Sequence, residues 1–232
     1  MIYRFEAVKS AITLAFQTCE AAFESENPHD YSGSTCCLLL YFEDLHLFYI
    51  ANCGDSRAIV YSDILINAEK GQLITVDHKP DLLSEKKRIE ALGGIVIGIP
   101  YEKNGVMQQI YRVNGVLAVA RSFGDQQLRP YLTETPDIYG PFPVTYAQNS
   151  AVLLACDGAF ECNTTKELCS NIANLVSQYS QQEKRQFVNT RLKDKIGAEA
   201  RRSLAIANGV LQYAYGQGSE DNITAIFIQF VQ

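Results

Sequence analysis

Ala151-Val-Leu-Leu-Ala-Cys-Asp157-Gly158-Ala-Phe-Glu161 reads as a short buried strand that ends on a carboxylate and a glycine. The residues leading to Asp157 are apolar or small and do not alternate, the pattern of a strand covered on both faces, and Gly158 then releases the chain into a turn. Asp157 is therefore expected at a sheet rim. Near the C-terminus, Gly216-Gln-Gly-Ser-Glu-Asp221-Asn222 leads into Ile223-Thr-Ala-Ile-Phe-Ile-Gln-Phe230, a strand rich in β-branched and aromatic residues, with the acid at its start. Antiparallel neighbours lie roughly 5 Å apart, so pairing these two strands sets Asp157 and Asp221 on one edge. In Leu47-Phe-Tyr-Ile-Ala-Asn-Cys-Gly54-Asp55-Ser-Arg57-Ala-Ile-Val-Tyr61, Gly54-Asp55 is predicted to mark a hairpin tip, which brings a third carboxylate, Asp55, to the same rim.

Clustered hard oxygen donors suit Mg2+ or Mn2+, whereas zinc sites use His or Cys at ligand spacing. Taken singly, each aspartate is equally a turn or capping residue, because Asp beside Gly occurs wherever strands end. Together they carry more weight, since each borders a strongly apolar strand and the pairing converges them.

The 232 residues are enough for a domain with a sizeable core, and 47% are apolar. A net charge of −6 without a dense Lys/Arg run argues against nucleic acid or an anionic membrane as the main partner. The seven cysteines include adjacent Cys36-Cys37 and no C-x-x-C, which supports neither a disulfide framework nor a zinc site and fits a reducing, cytoplasmic compartment. Arg4, Glu6 and Lys9 interrupt the first residues, unlike a signal peptide, and every apolar run falls short of the about 18 residues a membrane span needs.

Apolar residues recur at helical spacing from Phe5 to Phe23, predicting an amphipathic helix that ends near Glu24. Strands follow at Cys36 to Phe42 and Leu45 to Asn52, turned by Glu43-Asp44, and an antiparallel meander continues through the Asp55 tip. Gln72 to Val76 is a further strand, and Leu82 to Leu92 a helix stopped by Gly93-Gly94. His78, in the polar loop between them, is assigned no catalytic role. Asn114-Gly115, flanked by Ile110-Tyr-Arg-Val and Val116-Leu-Ala-Val, predicts a hairpin. Thr135 to Pro143 is extended or irregular, and helical patterning returns over Lys166 to Tyr179 and Glu183 to Tyr215, with Gly197 or Gly209 as a break. Strands in runs with helices outside them, and no βαβ alternation, predict an α+β fold of two packed antiparallel sheets flanked by helices, in one domain spanning 1–232.

Ser32-Gly-Ser-Thr35, Asn52-Cys-Gly-Asp-Ser-Arg-Ala58, Asp77-His-Lys-Pro80, Arg88-Ile-Glu-Ala-Leu-Gly-Gly94, Arg112-Val-Asn-Gly-Val-Leu-Ala-Val-Ala-Arg-Ser-Phe-Gly-Asp125, Ala155-Cys-Asp-Gly158 and Ser219-Glu-Asp-Asn222 resemble, in order and spacing, the motifs of PP2C-type metal-dependent protein serine/threonine phosphatases. The resemblance spans nearly the whole chain and implies an α-β-β-α sandwich. It also implies Mg2+ or Mn2+ as cofactor and phosphoserine or phosphothreonine proteins as substrates. Asp157 and Asp221 match the family's two C-terminal metal ligands, and Asp55 a position linked to a further, weaker metal. Glu161 stands where the family usually has Asp, an extra methylene that bears on an auxiliary metal contact.

Two hard cations about 3.5–4 Å apart activate a water and clamp the attacking and leaving oxygens of a phosphate ester. The family supplies the rest of that site from an Asp-Gly-His-Gly-Gly motif, an acidic pair and a phosphate-binding Arg. None of these is found here, where the sole Asp-Gly is Asp157-Gly158 and the chain opens at what resembles the following helix. The expectation is an N-terminally incomplete phosphatase domain with no assigned catalytic residue and impaired activity. Its partner is a complementing N-terminal segment or a regulatory protein. The alternative is a pseudophosphatase kept as a binding or regulatory module.

Overall fold

The computed structural model describes residues 2–63, 68–103, 105–146, 150–185 and 197–231. In chain order these form α1 (Ile2–Glu26), β1 (Gly33–Ser34), β2 (Cys36–Phe42), β3 (Leu47–Cys53), β4 (Arg57–Tyr61), β5 (Gln72–Leu73), α2 (Leu83–Ala91), β6 (Val96–Lys103), β7 (Val106–Val113), β8 (Phe123–Gly124), β9 (Asp137–Pro143), β10 (Ala151–Ala155), α3 (Thr165–Arg185), α4 (Ala198–Gly216) and β11 (Ala225–Gln229). The class is α+β, as expected. Contacts divide the chain into two compact units, one of Met1–Leu39, Tyr49–Ser56 and Val76–Pro141, the other of Leu40–Phe48, Arg57–Thr75 and Phe142–Gln232. β2, β3 and β9 form a three-stranded sheet with β3 in the middle.

The second unit is built on the four-stranded order β11-β10-β4-β5. β10 is antiparallel to both neighbours, and all five of its residues are buried, which is why its sequence shows no alternation. Ala151, Leu153 and Ala155 join Ile59, Tyr61 and Phe227 in one cluster with Leu168, Ile172 and Val176 of α3 and Ile206 and Val210 of α4, so the two helices cover one face of the sheet. α3 starts on a capping box: the Glu167 amide donates to Thr164 Oγ1 at 3.2 Å, and the Thr164 amide donates to Glu167 Oε2 at 2.8 Å. α4 begins directly after Gly197 and runs unbroken through Gly209. Gly209 is there for space, since a Cβ would lie 2.3 Å from Leu175 Cδ1. The part of the expected helix over 186–196 falls outside the described residues.

In the first unit α1 docks on β8. The Phe16 and Phe123 rings lie 5.2 Å apart, and Glu20 accepts the Gly124 amide at 2.9 Å while pairing with Arg129 Nη2 at 2.8 Å. β8 pairs in turn with β1, Gly33 opposite Gly124. Ile89 of α2 packs with Val113, Ala120, Leu128 and Leu132.

Three expectations are corrected. Gly54-Asp55 is not a hairpin tip: β3 belongs to the β2-β3-β9 sheet and β4 to the sheet of β10, so the chain changes sheets there and the meander stops at β3. β7 pairs along its whole length with β6, from Val96 opposite Val113 to Lys103 opposite Val106, and the connection carries a different Asn-Gly, Asn104-Gly105, with Gly105 at φ 74°. Asn114-Gly115 does make a tight turn, both residues at positive φ, but only the single bridge Val113 to Leu117 follows it. Finally, the expected strand over Gln72 to Val76 shrinks to Gln72–Leu73, because Ile74 and Thr75 bond the Ala58 backbone individually.

Candidate functional site

β10 and β11 are in register with Ala155 opposite Ala225, and β4 sets Arg57 opposite Ala155 on the other side. The pairing continues past the strands through Cys156. Its amide donates to the Thr224 carbonyl at 3.1 Å, its thiol donates to the Asn222 carbonyl at 3.2 Å, and the Thr224 amide reaches its Sγ at 3.1 Å. The chain then enters a 3-10 turn over Asp157–Ala159. A Cβ on Gly158 would lie 2.4 Å from the Asn222 carbonyl oxygen and 3.3 Å from Asp221 Cβ, so only glycine lets the two loops abut this closely.

The loops that carry Asp157 and Asp221 therefore meet at one end of the second unit. Both carboxylates are exposed, and each turns one oxygen to its own loop: Asp157 Oδ1 accepts the Gly158 amide at 2.9 Å, and Asp221 Oδ1 the Asn222 amide at 2.7 Å. Behind them, buried Ser219 bonds through Oγ to the Gly158 carbonyl and to Glu161 Oε2, both at 2.9 Å, and the Glu220 amide donates to the same Glu161 oxygen at 3.1 Å. At the same strand end, the Arg57 guanidinium lies 4.7 Å above the Phe160 ring.

Asp55 falls in the first unit, 5% exposed, with Oδ2 paired to Lys79 Nζ. Its loop is held from two sides. Thr35 fills the space a Cβ on Gly54 would occupy and bonds Ser56 Oγ at 3.0 Å, and Gly54, at φ 113°, is the residue type that tolerates such a backbone. Fully buried His78 accepts the Gly54 amide on Nδ1 at 3.0 Å, which leaves the ring proton on Nε2. Nε2 faces Asp137 Oδ2 at 3.2 Å, off the line of a well-formed hydrogen bond.

Behind His78 lies a chain of charges. The His78 ring lowers the Asp137 carboxyl to about 2, and the Arg121 guanidinium adds to this while partial burial opposes both. Arg121 donates to Asp137 Oδ1 at 2.9 Å and to Glu85 Oε1, and Arg88 holds the other oxygen of Glu85 at 2.9 Å. Burial pushes the Glu85 carboxyl up, but the hydrogen bonds and charges of Arg121 and Arg88 outweigh it, and its pKa is lowered. Asp125, at φ 50°, accepts Ser122 Oγ at 2.7 Å and lies over Gly33, where a Cβ would be 1.9 Å from its Oδ2, so it is a structural turn residue.

The donor chemistry of Asp157 and Asp221, two exposed carboxylates on abutting loops, fits a hard divalent cation, and Mg2+ or Mn2+ is the general requirement of the family resembled above. The number of donors is that of one side of a coordination shell. Among the described residues, no group of three or more His, Cys, Asp or Glu side chains is arranged to hold a metal. The sequence places both aspartates at strand ends but gives no direct sign of the residues that hold them. Cys156 immediately precedes Asp157 and Ser219 lies two residues before Asp221, a proximity that could have drawn attention to them. The burial of His78 and the reach of Glu161 have no local signature.

The family model described as "Protein phosphatase 2C" matches residues 3–223. Protein phosphatase 2C 56 of Arabidopsis thaliana is 31% identical over 96% of this chain and 48% of its own length, and protein phosphatase 2C 50 of Oryza sativa subsp. japonica is 33% identical over 77% and 42%. The chain thus spans about half the length of the curated relatives it matches. A crystal structure of a serine-threonine phosphatase 2C from Toxoplasma gondii superimposes with a TM-score of 0.68 at 21% identity, over 97% of this chain and 68% of that one, and shows the same fold. Motifs, fold and family match agree, and the chain belongs to the protein phosphatase 2C family.

Proposed function

We propose that this chain carries one flank of a protein serine/threonine phosphatase centre, with Asp157 and Asp221 as ligands for Mg2+ or Mn2+; Asp55, in the first unit and paired with Lys79, matches by resemblance the position of a further, weaker metal. The observation that supports it is the contact of Gly158 with Asp221 and Asn222, which sets the two carboxylate loops side by side. A bound pair of hard cations supplies an activated water and Lewis acidity at the phosphoryl oxygens of a phosphoserine or phosphothreonine protein. The chain's own residues hold the two acids on a rigid strand end and keep them exposed to solvent. Each oxygen bound to a backbone amide helps fix its carboxylate's orientation.

Two carboxylates alone bind a divalent ion weakly, because each missing donor removes charge and geometry together. The 232-residue chain is therefore expected to take up Mn2+ weakly, to lose that uptake in Asp157→Asn and Asp221→Asn, and to show little or no Mn2+-dependent hydrolysis of p-nitrophenyl phosphate. Robust hydrolysis by the purified chain, abolished by Asp157→Asn, would overturn the impairment. Adding in trans a segment that carries an Asp-Gly-His-Gly-Gly motif is expected to raise activity if the missing flank is the only deficit.

The pseudophosphatase reading takes Asp157 and Asp221 as relics in a domain kept as a binding or regulatory module. It predicts no gain from that mixing, together with retained binding of a phosphoserine peptide.

A further inference from the structure

We infer that Glu161, acting with Ser219, is a positioning residue that sets the separation of Asp157 and Asp221 and is not itself a cation ligand; this rests on reading those aspartates as a cation-binding pair. Glu161 Oε2 accepts from Ser219 Oγ at 2.9 Å and from the Glu220 amide at 3.1 Å. Both donors immediately precede Asp221, and Glu161 follows the turn that Asp157 opens. Ser219 is 5% exposed, and its Oγ is also 2.9 Å from the Gly158 carbonyl, so its single proton is shared between that carbonyl and Glu161 Oε2. The oxygen that faces the Asp221 loop is thus committed to two donors, one of them a backbone amide whose place is fixed by the chain.

Length decides the role. An aspartate at 161 would draw the carboxylate back by about 1.5 Å, one carbon–carbon bond, and carry it out of hydrogen-bond range of Ser219 and Glu220. Glutamate is the residue that bridges this gap. Hydrogen bonds to a charged acceptor are among the stronger ones, and here they link two loops that otherwise meet through Cys156 and Gly158.

The test uses the full 232-residue chain as wild type, Glu161→Gln, Glu161→Ala, Ser219→Ala and Asp157→Asn, with thermal melts to confirm folding. Amide exchange at Glu220 is read without metal, and uptake of Mn2+ alone is read from the paramagnetic resonance of the free ion. Glu161→Ala and Ser219→Ala are expected to speed Glu220 exchange and weaken Mn2+ uptake, each by about tenfold. Glu161→Gln, whose amide oxygen still accepts, keeps both within about threefold. Unchanged Glu220 protection in Glu161→Ala overturns the inference. So does a Glu161→Gln chain that keeps the protection yet loses Mn2+ as fully as Glu161→Ala, since that marks a direct ligand. If Glu161→Ala fails to fold, Glu161→Gln and Ser219→Ala decide. Absent Mn2+ uptake by wild type, or uptake indifferent to Asp157→Asn, overturns the underlying reading instead, and the metal-free exchange still decides whether the bridge exists.

Discussion

The Asp137 carboxylate lies 3.2 Å from the His78 ring and 2.9 Å from Arg121 Nη1, and its pKa of about 2 falls below the ordinary carboxylate range. A depressed folded-state value contributes stability above the unfolded pKa of about 4, and that contribution is lost as pH falls towards 2. The side chain is 44% exposed, so solvent screening reduces the contribution to about 1 kcal/mol. Asp137→Asn should therefore lower unfolding free energy by about 1 kcal/mol at pH 7 in urea titrations, with the gap to wild type closing as pH approaches 2. Glu85 is a harsher case, 2% exposed and shared by two guanidinium groups. Glu85→Ala removes the buried carboxylate the two guanidinium groups share, leaving Arg121 with Asp137, and is expected to cost about 3 kcal/mol, read from thermal denaturation. At this scale the sequence was informative where the backbone fixed the answer. Asp157 ends an apolar run and Asp221 precedes one, so strand ends alone located them. His78, Glu85 and Glu161 gain their roles from partners distant in sequence, and a charged or polar letter in a helix or loop does not announce burial.

Among the elements, α3 and α4 pack through the gap left by Gly209. Alanine in a helix interior is ordinarily favoured over glycine by about 1 kcal/mol, yet here its Cβ would lie 2.3 Å from Leu175 Cδ1. Gly209→Ala is expected to destabilise the chain by about 1–2 kcal/mol, and pairing it with Leu175→Ala should give a smaller loss than the two single losses added, measured as a double-mutant cycle. Of the two glycines expected as a break, Gly197 directly precedes α4 and Gly209 lies inside it, because a sequence shows a glycine without showing what fills its place. The Thr164-x-x-Glu167 box, by contrast, was available in the sequence and places the start of α3. Strand pairing was less legible. Asn114-Gly115 carries hairpin chemistry, yet β7 pairs along its length with β6, before it in sequence, and only one bridge follows the Asn114-Gly115 turn. The change of sheet at Gly54 was hidden for the same reason, since apolar strands on either side of Gly-Asp look alike whether they pair with each other or with β9 and β10.

For the molecule as a whole, the net charge of −6 argues against phosphate backbones as partners. The chain is expected to leave the anisotropy of a labelled DNA duplex unchanged at about 150 mM salt, conditions under which non-specific DNA binders still associate. Among the described residues, no helix is long and apolar enough to cross a membrane. The α+β class was legible because long apolar strands and periodic helices dominate the composition, and the family was legible because its motifs follow one another along the chain. The division into two compact units was not, since both are assembled from interleaved stretches. The Ala155 to Ala225 register has one more implication. Because β10 and β11 are locked residue against residue, the short tethers from Ala155 to Asp157 and from Asp221 to Ala225 act as measuring rods. A single codon added inside either rod would slide one acid past the other while the surrounding sheet stayed whole.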